Sequence, residues 1–316
     1  MALFRVLTVD YLHGVKDSLI GLMFIRKIQE EEQKEVKVEP EVKRERTVLE
    51  RRREMQGIYR RPPEPPAKKD SCLKKLYQIY VMNFSFLIAW KFLIYLFSQI
   101  SFWIMGNEEF GRSAGNCLIF PLFVVSRVVQ TLWFSDISGA CMRALNQKPP
   151  KQAQGFSYII AETVISTIHS SFFLGQGILS KYLPIPIITP FIVFIHMALL
   201  NSMYCFEYFM DNYNLPFLQR REIFESHWPY FLGFGTPLAL ACSWSNDIFV
   251  NAAIFAFLFP FFIISSYKAN WNRKYDEKIP TISFCRISYM LTQMVAKLVK
   301  HYTPNQFPPQ KSSANN

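Results

Sequence analysis

Residues 201–239, NSMYCFEYFMDNYNLPFLQRREIFESHWPYFLGFGTPLA, hold the clearest evidence for how this chain folds. The stretch begins as the end of a long apolar run that carries Glu207 into a tyrosine-rich exit. It then crosses a short charged hinge at residues 219–225 and returns to apolar sequence at Trp228. An apolar exit and re-entry across a short charged link is typical of neighbouring helices in a membrane bundle.

The composition extends this interpretation to the whole chain. Half of the 316 residues are hydrophobic and 16% are aromatic, arranged in long unbroken runs that a soluble domain does not need. A bilayer core of about 30 Å requires about 20 apolar helical residues. The sequence therefore predicts an all-α, multi-pass helical membrane bundle. Its six apolar segments are residues 76–105, 116–134, 156–183, 185–206, 229–244 and 248–267.

The fifth apolar run is short, about 24 Å at the helical rise of 1.5 Å per residue. Residues 243–247 join it to the sixth, so the two runs are expected to form a hairpin that enters the bilayer only partway. The chain then divides into five parts. These are an amphipathic interfacial helix (1–28), a charged cytosolic arm with a proline-rich spacer (29–75), the helical membrane domain (76–267), a cytosolic amphipathic helix region (268–300) and a disordered tail (301–316).

The distribution of basic residues predicts the topology. The connection at residues 107–115 carries two Glu and one Arg, whereas that at residues 135–155 carries Arg143, Lys148 and Lys151, and that at residues 212–227 carries Arg220 and Arg221. The positive-inside rule then favours an even number of crossings with both termini in the cytosol. The formal net charge of +11 indicates contact with anionic lipid headgroups rather than with nucleic acid.

Both ends of the chain have amphipathic patterns. In residues 2–28 the apolar side chains approximate a helical stripe that is too short to span, which favours a helix lying in the headgroup plane. The alternative is a packed cytosolic helix. Residues 281–300 repeat the pattern, and a second surface-lying helix is expected there.

Two basic residues lie inside apolar runs, Lys91 in the first and Arg127 in the second. A basic residue at the centre of a spanning helix costs about 2.5–3.5 kcal/mol on insertion scales. Such residues either snorkel, pair with a carboxylate such as Glu162 or Glu207, or line an ion path.

The third run has a polar stripe. Glu162, Ser166, His169 and Gln176 are spaced so that they share one helix face, which must turn away from lipid. The stripe makes interhelical hydrogen bonds, or it lines a hydrophilic groove for an anion, a proton or a lipid headgroup.

No motif indicates catalysis, a cofactor or a metal site. The chain has no G-x-S-x-G, H-E-x-x-H or phosphate-binding glycine loop, and its six cysteines show no C-x-x-C spacing. The glycines of GFGTP, together with Pro237, are expected to permit close helix packing and a kink.

Several blocks resemble the etoposide-induced 2.4 family of eukaryotic endoplasmic reticulum membrane proteins. The most specific are the YCFEY motif, Tyr204, Cys205, Phe206, Glu207 and Tyr208, and the WPYFLGFGTP motif, with Trp228, Pro229, Tyr230, Gly233, Gly235 and Pro237. PLFVVSRVVQTLWFSDI at residues 121–137, LFPFFIIS at 258–265 and GVKDSLIGL at 14–22 also resemble the family.

The resemblance implies residence in the endoplasmic reticulum membrane and a role in autophagy, in the step that yields degradative autolysosomes. It also implies a fold related to the CysZ sulfate permeases, and it assigns no catalytic residue. The favoured function is a non-enzymatic scaffold for partner proteins or lipid-transfer machinery at membrane contacts. The alternatives are an anion permease that uses Lys91, Arg127 and the stripe, and a lipid scramblase.

Overall fold

The fold is described from a computed structural model, which covers residues 1–30, 72–117, 134–147 and 156–302, with isolated gaps at residues 22, 25, 135, 136, 140 and 146. Within these ranges the regular elements are all helices, which confirms the predicted all-α class. They are α1 (Ala2–Leu19), α2 (Cys72–Met105), α3 (Glu108–Cys117), α4 (Phe156–Ser180), α5 (Thr189–Asn212), α6 (Phe217–Ser226), α7 (Trp228–Ala241), α8 (Ile248–Lys268) and α9 (Arg286–Tyr302).

Three of the helices are long and apolar enough to cross a bilayer. They contribute Lys74–Met105 of α2, Thr189–Asn212 of α5 and Phe249–Lys268 of α8. The prediction of a helical membrane protein is therefore confirmed, whereas the count of six apolar segments stays a prediction. Most of the charged arm, most of the second apolar run and the tail from residue 303 lie outside the described residues.

Helix α7 lies at the centre of the described bundle, with α1 packed on one side and α5 on another. Glycines permit this close approach. A Cβ added at Gly233 would fall onto the carbonyl oxygen of Tyr11, and one added at Gly14 would fall onto that of Tyr230. A Cβ at Gly235 would meet the carbonyl oxygen of Ala198 on α5. The sequence-based expectation that Gly233 and Gly235 serve close helix packing agrees with these contacts.

The core between α5 and α7 is aromatic. Phe206 is fully buried, and its ring centroid lies 5.0 Å from that of Phe231 and 4.7 Å from that of Phe234, both in edge-to-face geometry. Burying a phenylalanine contributes about 1.5–3 kcal/mol, and favourable ring geometry adds to this. The YCFEY and WPYFLGFG motifs therefore meet each other across this interface.

Helix α1 turns polar groups inward and apolar groups outward. Asp17 accepts hydrogen bonds from the hydroxyl of Tyr230 (2.9 Å) and the guanidinium of Arg273 (3.2 Å), and Asp10 accepts one from the hydroxyl of Tyr275 (2.7 Å). Exposed side chains on the outer surface include Leu3, Phe4 and Leu12. The helix is thus packed against the bundle, and its placement in the headgroup plane stays a prediction.

Two segments that the sequence assigned to connections are helical. Helix α3 occupies most of residues 107–115: Gly106 ends α2 with a φ of 66°, and the Asn107 side chain accepts hydrogen bonds from the backbone amides of Glu109 and Phe110. An asparagine in this position satisfies amides that a helix start leaves unpaired. Helix α6 occupies much of residues 212–227. Both helices are short and rich in charged residues, so neither contains a long apolar run. Their composition therefore resembles that of loops.

Candidate functional site

The polar stripe of α4 faces α5 and α6. Glu162, Ser166 and His169 lie on one side of the helix, and the hydroxyl of Ser166 donates a hydrogen bond to the Glu207 carboxylate on α5. The sequence predicted that this face turns inward, and the structure brings Glu162, His169 and Glu207 to the same region.

Arg220 of α6 is the central cation of this region. Its Nη1 lies 2.5 Å from Asp211 Oδ1 and its Nη2 lies 3.8 Å from Glu162 Oε2, while its Nε donates a 2.6 Å hydrogen bond to the carbonyl of Leu215. The Arg220 side chain is only 8% exposed. We call Glu162, Glu207, Asp211 and Arg220 the ionic cluster. A buried guanidinium requires such partners because an unpaired buried charge costs several kcal/mol.

His169 lies beside the ionic cluster and is 2% exposed. Its ring makes an edge contact with Phe217 at 4.8 Å, and neither ring nitrogen has a hydrogen-bond partner among the described residues. A cavity of about 30 Å³ adjoins it, lined by Ser166, His169, Glu207, Arg220, Arg221 and five other residues of α4, α5 and α6. This volume suits one water molecule rather than a larger ligand.

A second ion pair lies within α6, and its carboxylate also binds the chain before α9. Arg221 Nε lies 3.4 Å from Glu225 Oε2, and its guanidinium lies 4.3 Å from the centre of the Tyr289 ring. The other oxygen of Glu225 accepts a hydrogen bond from the amide of Cys285 (3.3 Å). Burial raises the pKa of Glu225, and the Arg221 charge and the Cys285 amide oppose that rise.

Other predicted site residues lie away from the ionic cluster. The Nζ of Lys91 lies 4.4 Å from the centre of the Phe249 ring on α8, and its side chain is exposed. The side-chain amide of Gln176 donates a 3.5 Å hydrogen bond to the Phe284 carbonyl. Arg127 lies outside the described residues.

The remaining motif residues stabilise packing. Tyr204, Cys205 and Tyr208 are buried on α5, and the indole of Trp228 donates a 3.0 Å hydrogen bond to the Pro280 carbonyl. Pro229 opens α7, where its missing amide is not needed, and Pro237 lies inside the same helix.

Sequence reasoning missed three contributors, Asp211, Arg220 and Arg221. Asp211 is four residues after Glu207, so their shared helix face was available as a signal. The arginines were attributed to a cytosolic connection. Within the described part of the chain, no group of three or more His, Cys, Asp or Glu side chains is arranged to hold a metal ion. The ionic cluster and its cavity can therefore hold a charged group and one small polar molecule.

The comparisons with known proteins agree with this architecture. The family model described as sulfate transporter CysZ/etoposide-induced protein 2.4 matches residues 73–260. The chain belongs to this family. The segment that matches the CysZ/etoposide-induced 2.4 model contains the whole ionic cluster, whereas α1 and α9 lie outside it.

Relatives in this family include Ectopic P granules protein 4 of Caenorhabditis elegans, which is 61% identical over 308 residues, covering 98% of this chain and 97% of that protein. The protein EI24 homolog of Arabidopsis thaliana is 25% identical over 170 residues, covering 46% of this chain and 52% of that protein. No solved structure matches the chain.

Proposed function

We propose that this chain is a non-enzymatic scaffold of the endoplasmic reticulum membrane that acts in autophagy, in the formation of degradative autolysosomes. It would hold partner proteins or lipid-transfer machinery at membrane contacts, with both termini in the cytosol. Membership of the CysZ/etoposide-induced 2.4 family supports the proposal, as does the near full-length similarity to Ectopic P granules protein 4. Anionic lipid headgroups would contact its basic segments.

The observation that carries the scaffold interpretation is the pairing of Arg220. This buried cation contacts Asp211 and Glu162, and the adjoining cavity has room for about one water. Charged side chains of a conducting pathway face a water-filled passage instead. A cation held between two carboxylates favours a role in fixing α6 against α4 and α5.

An anion permease is the second candidate. His169, Arg220 and Arg221 line one cavity, and positive charge beside a polar cavity attracts anions. The family description also names a sulfate transporter.

Flux measurements distinguish the two candidates. Purified protein in phosphatidylcholine vesicles should pass sulfate and chloride no faster than protein-free vesicles. A sulfate or chloride flux that Arg127→Leu or Arg220→Met abolishes, while Lys181→Leu leaves it intact, would reverse the ranking. Labelled lipids in the same vesicles test the scramblase alternative.

The cellular half of the proposal requires a separate measurement. In cells that lack the endogenous protein, the wild type and a Lys91→Leu, Arg127→Leu variant should restore autophagic flux equally. Recovery of autophagy or lipid-transfer proteins with the wild type in mild detergent would identify the partners. Normal flux without the protein would exclude the autophagy role.

A further inference from the structure

Helix α9 begins deep beside the bundle. The carbonyl of Phe284, two residues before α9, accepts the hydrogen bond from Gln176, and the Phe284 ring lies 5.8 Å from that of Phe173. Phe173 in turn stacks on His196 of α5 with the ring centroids 3.9 Å apart. Phe173 therefore links the start of α9 to the level of His196 along α5.

That level lies within the thickness of a bilayer. Helix α5 is a candidate membrane span from Thr189 to Asn212. His196 lies about 10 Å along the axis from Thr189 and about 24 Å from Asn212. Because a hydrocarbon core is about 30 Å thick, His196 lies inside it when α5 spans. The sulfur of Cys285 is 4.0 Å from that of Met203, which is also internal to α5.

The next turns of α9 move toward the Asn212 end of α5. The ring of Tyr289 stacks on Phe217 with centroids 6.1 Å apart and lies under Arg221. Phe217 and Arg221 belong to α6, whose Arg220 contacts Asp211 near the end of α5. Helix α9 thus rises from the middle of α5 toward its end while packing against α4.

The two faces of α9 have the opposite polarity from those of a water-soluble helix. Ser288 and Thr292 are buried against the bundle, and their hydroxyls are satisfied by carbonyls of the same segment. The large apolar side chains point away from the bundle and are 39–59% exposed: Ile287, Met290, Leu291, Met294 and Leu298. A helix with small polar groups inside and large apolar groups outside is suited to lipid surroundings.

We propose that α9 is a re-entrant membrane helix whose apolar face, formed by these five residues, contacts the hydrocarbon chains of the bilayer. Residues 269–285 descend from the end of α8 to the level of Phe284, and α9 returns toward the same surface. The sequence alone predicted that this helix lies flat on the membrane surface. An amphipathic pattern does not distinguish an apolar face that reaches the hydrocarbon chains from one that stays among the headgroups. The inference is independent of the proposed role in autophagy.

Arg286 is the one charged residue in the first turn of α9, and it is exposed. Its long side chain can carry the guanidinium away from the hydrocarbon while the aliphatic stem stays in contact with it. Lys297 is also exposed, but it lies near the other end of α9, where the helix returns toward the surface, so Arg286 is the charge that the apolar side chains must outweigh at depth.

Depth-dependent quenching tests the proposal. The full chain would carry a genetically encoded fluorophore at Ile287 or Leu298, in phosphatidylcholine vesicles brominated near either end of the acyl chains. A fluorophore at Phe92, in the middle of the α2 span, reports lipid contact, and one at the exposed Glu277 reports water. All four substitutions replace exposed side chains, so the fold should persist.

The re-entrant geometry predicts opposite depth preferences at the two ends of α9. Bromines near the methyl end should quench the Ile287 site about twofold more than bromines near the carboxyl end, and the order should reverse at Leu298. Equal quenching at both sites by bromines near the carboxyl end would indicate a surface-lying helix. Quenching as weak as at Glu277 would place the face in water or under a protein. Either result would overturn the proposal.

Discussion

The two sides of α5 are stabilised by different physics. Toward α7, Phe206 packs in an aromatic core that glycine contacts bring together. Toward α4 and α6, the neighbouring Glu207 belongs to the ionic cluster, next to a small cavity. Consecutive helical residues point about 100° apart, so one helix serves both environments.

The difference shows that a membrane bundle is specified both by close steric fit between helices and by buried polar groups. Without a hydrophobic force between helices in lipid, close backbone contact and buried polar groups must specify the packing. The glycine contacts leave no spare volume, whereas the ionic cluster depends on a balance of charge. Steric changes should therefore damage the first region most, and charge changes the second.

The largest effect is expected from Gly233→Val. Its side chain would collide with the Tyr11 carbonyl, where backbone cannot move aside, so the stability loss should reach about 3 kcal/mol or more. Thermal unfolding of the detergent-purified protein measures it. Gly175→Ala is the control because nothing lies near the added methyl group, and it should stabilise the helix by about 0.5–1 kcal/mol. Equal melting temperatures for Gly233→Val and the wild type would refute the close contact.

Removal of the central cation should rank second. Arg220→Met leaves Asp211 and Glu162 without their buried partner, and because these carboxylates are partly exposed the loss should be about 3 kcal/mol at most. Adding Asp211→Asn and Glu162→Gln removes the stranded charges and should recover most of the loss. If the triple variant is no more stable than Arg220→Met in the same melting assay, the loss arises from packing rather than from charge.

The pH dependence of stability should show a smaller effect at Asp10. Burial raises the pKa of this carboxyl above 3.8, partly opposed by the Tyr275 hydrogen bond. The folded protein then holds the proton more tightly than the unfolded chain, so this contribution is full below pH 3.8 and is lost as pH rises through the folded-state pKa.

Asp10→Asn removes this titration while retaining an oxygen for Tyr275. Its free energy of unfolding relative to the wild type, taken from thermal unfolding, should therefore increase as pH rises from about 4 toward neutrality. A difference that stays constant with pH would contradict the raised pKa.

The smallest effect is expected from Lys91→Leu. The variant loses a cation–π contact with Phe249 worth about 0.5–1 kcal/mol and also removes a charge from an apolar helix, so the two effects offset. Its melting temperature and autophagic flux should match those of the wild type. A loss comparable to that of Arg220→Met would assign Lys91 to a charge network of its own.

Much of the architecture was predictable from local pattern. The apolar runs of α2, α5 and α8 identified them as helical membrane segments because chain length and bilayer thickness are directly linked. The periodicity of Glu162, Ser166 and His169 predicted a shared inward face, because helical geometry determines which side chains are neighbours. The helical character of α3 and α6 was missed, since short polar helices depend on caps and contacts rather than on an apolar pattern.

The sequence by itself determined the membrane class, the main spans and the stripe, since hydropathy and helical period act along the chain. Only the tertiary structure decided that Arg220 meets Asp211 and Glu162, and that α1 buries Asp10 and Asp17. The reason is physical: a charged side chain is stable wherever a partner or water reaches it. Its partner comes from a distant part of the chain, and only packing brings the two together.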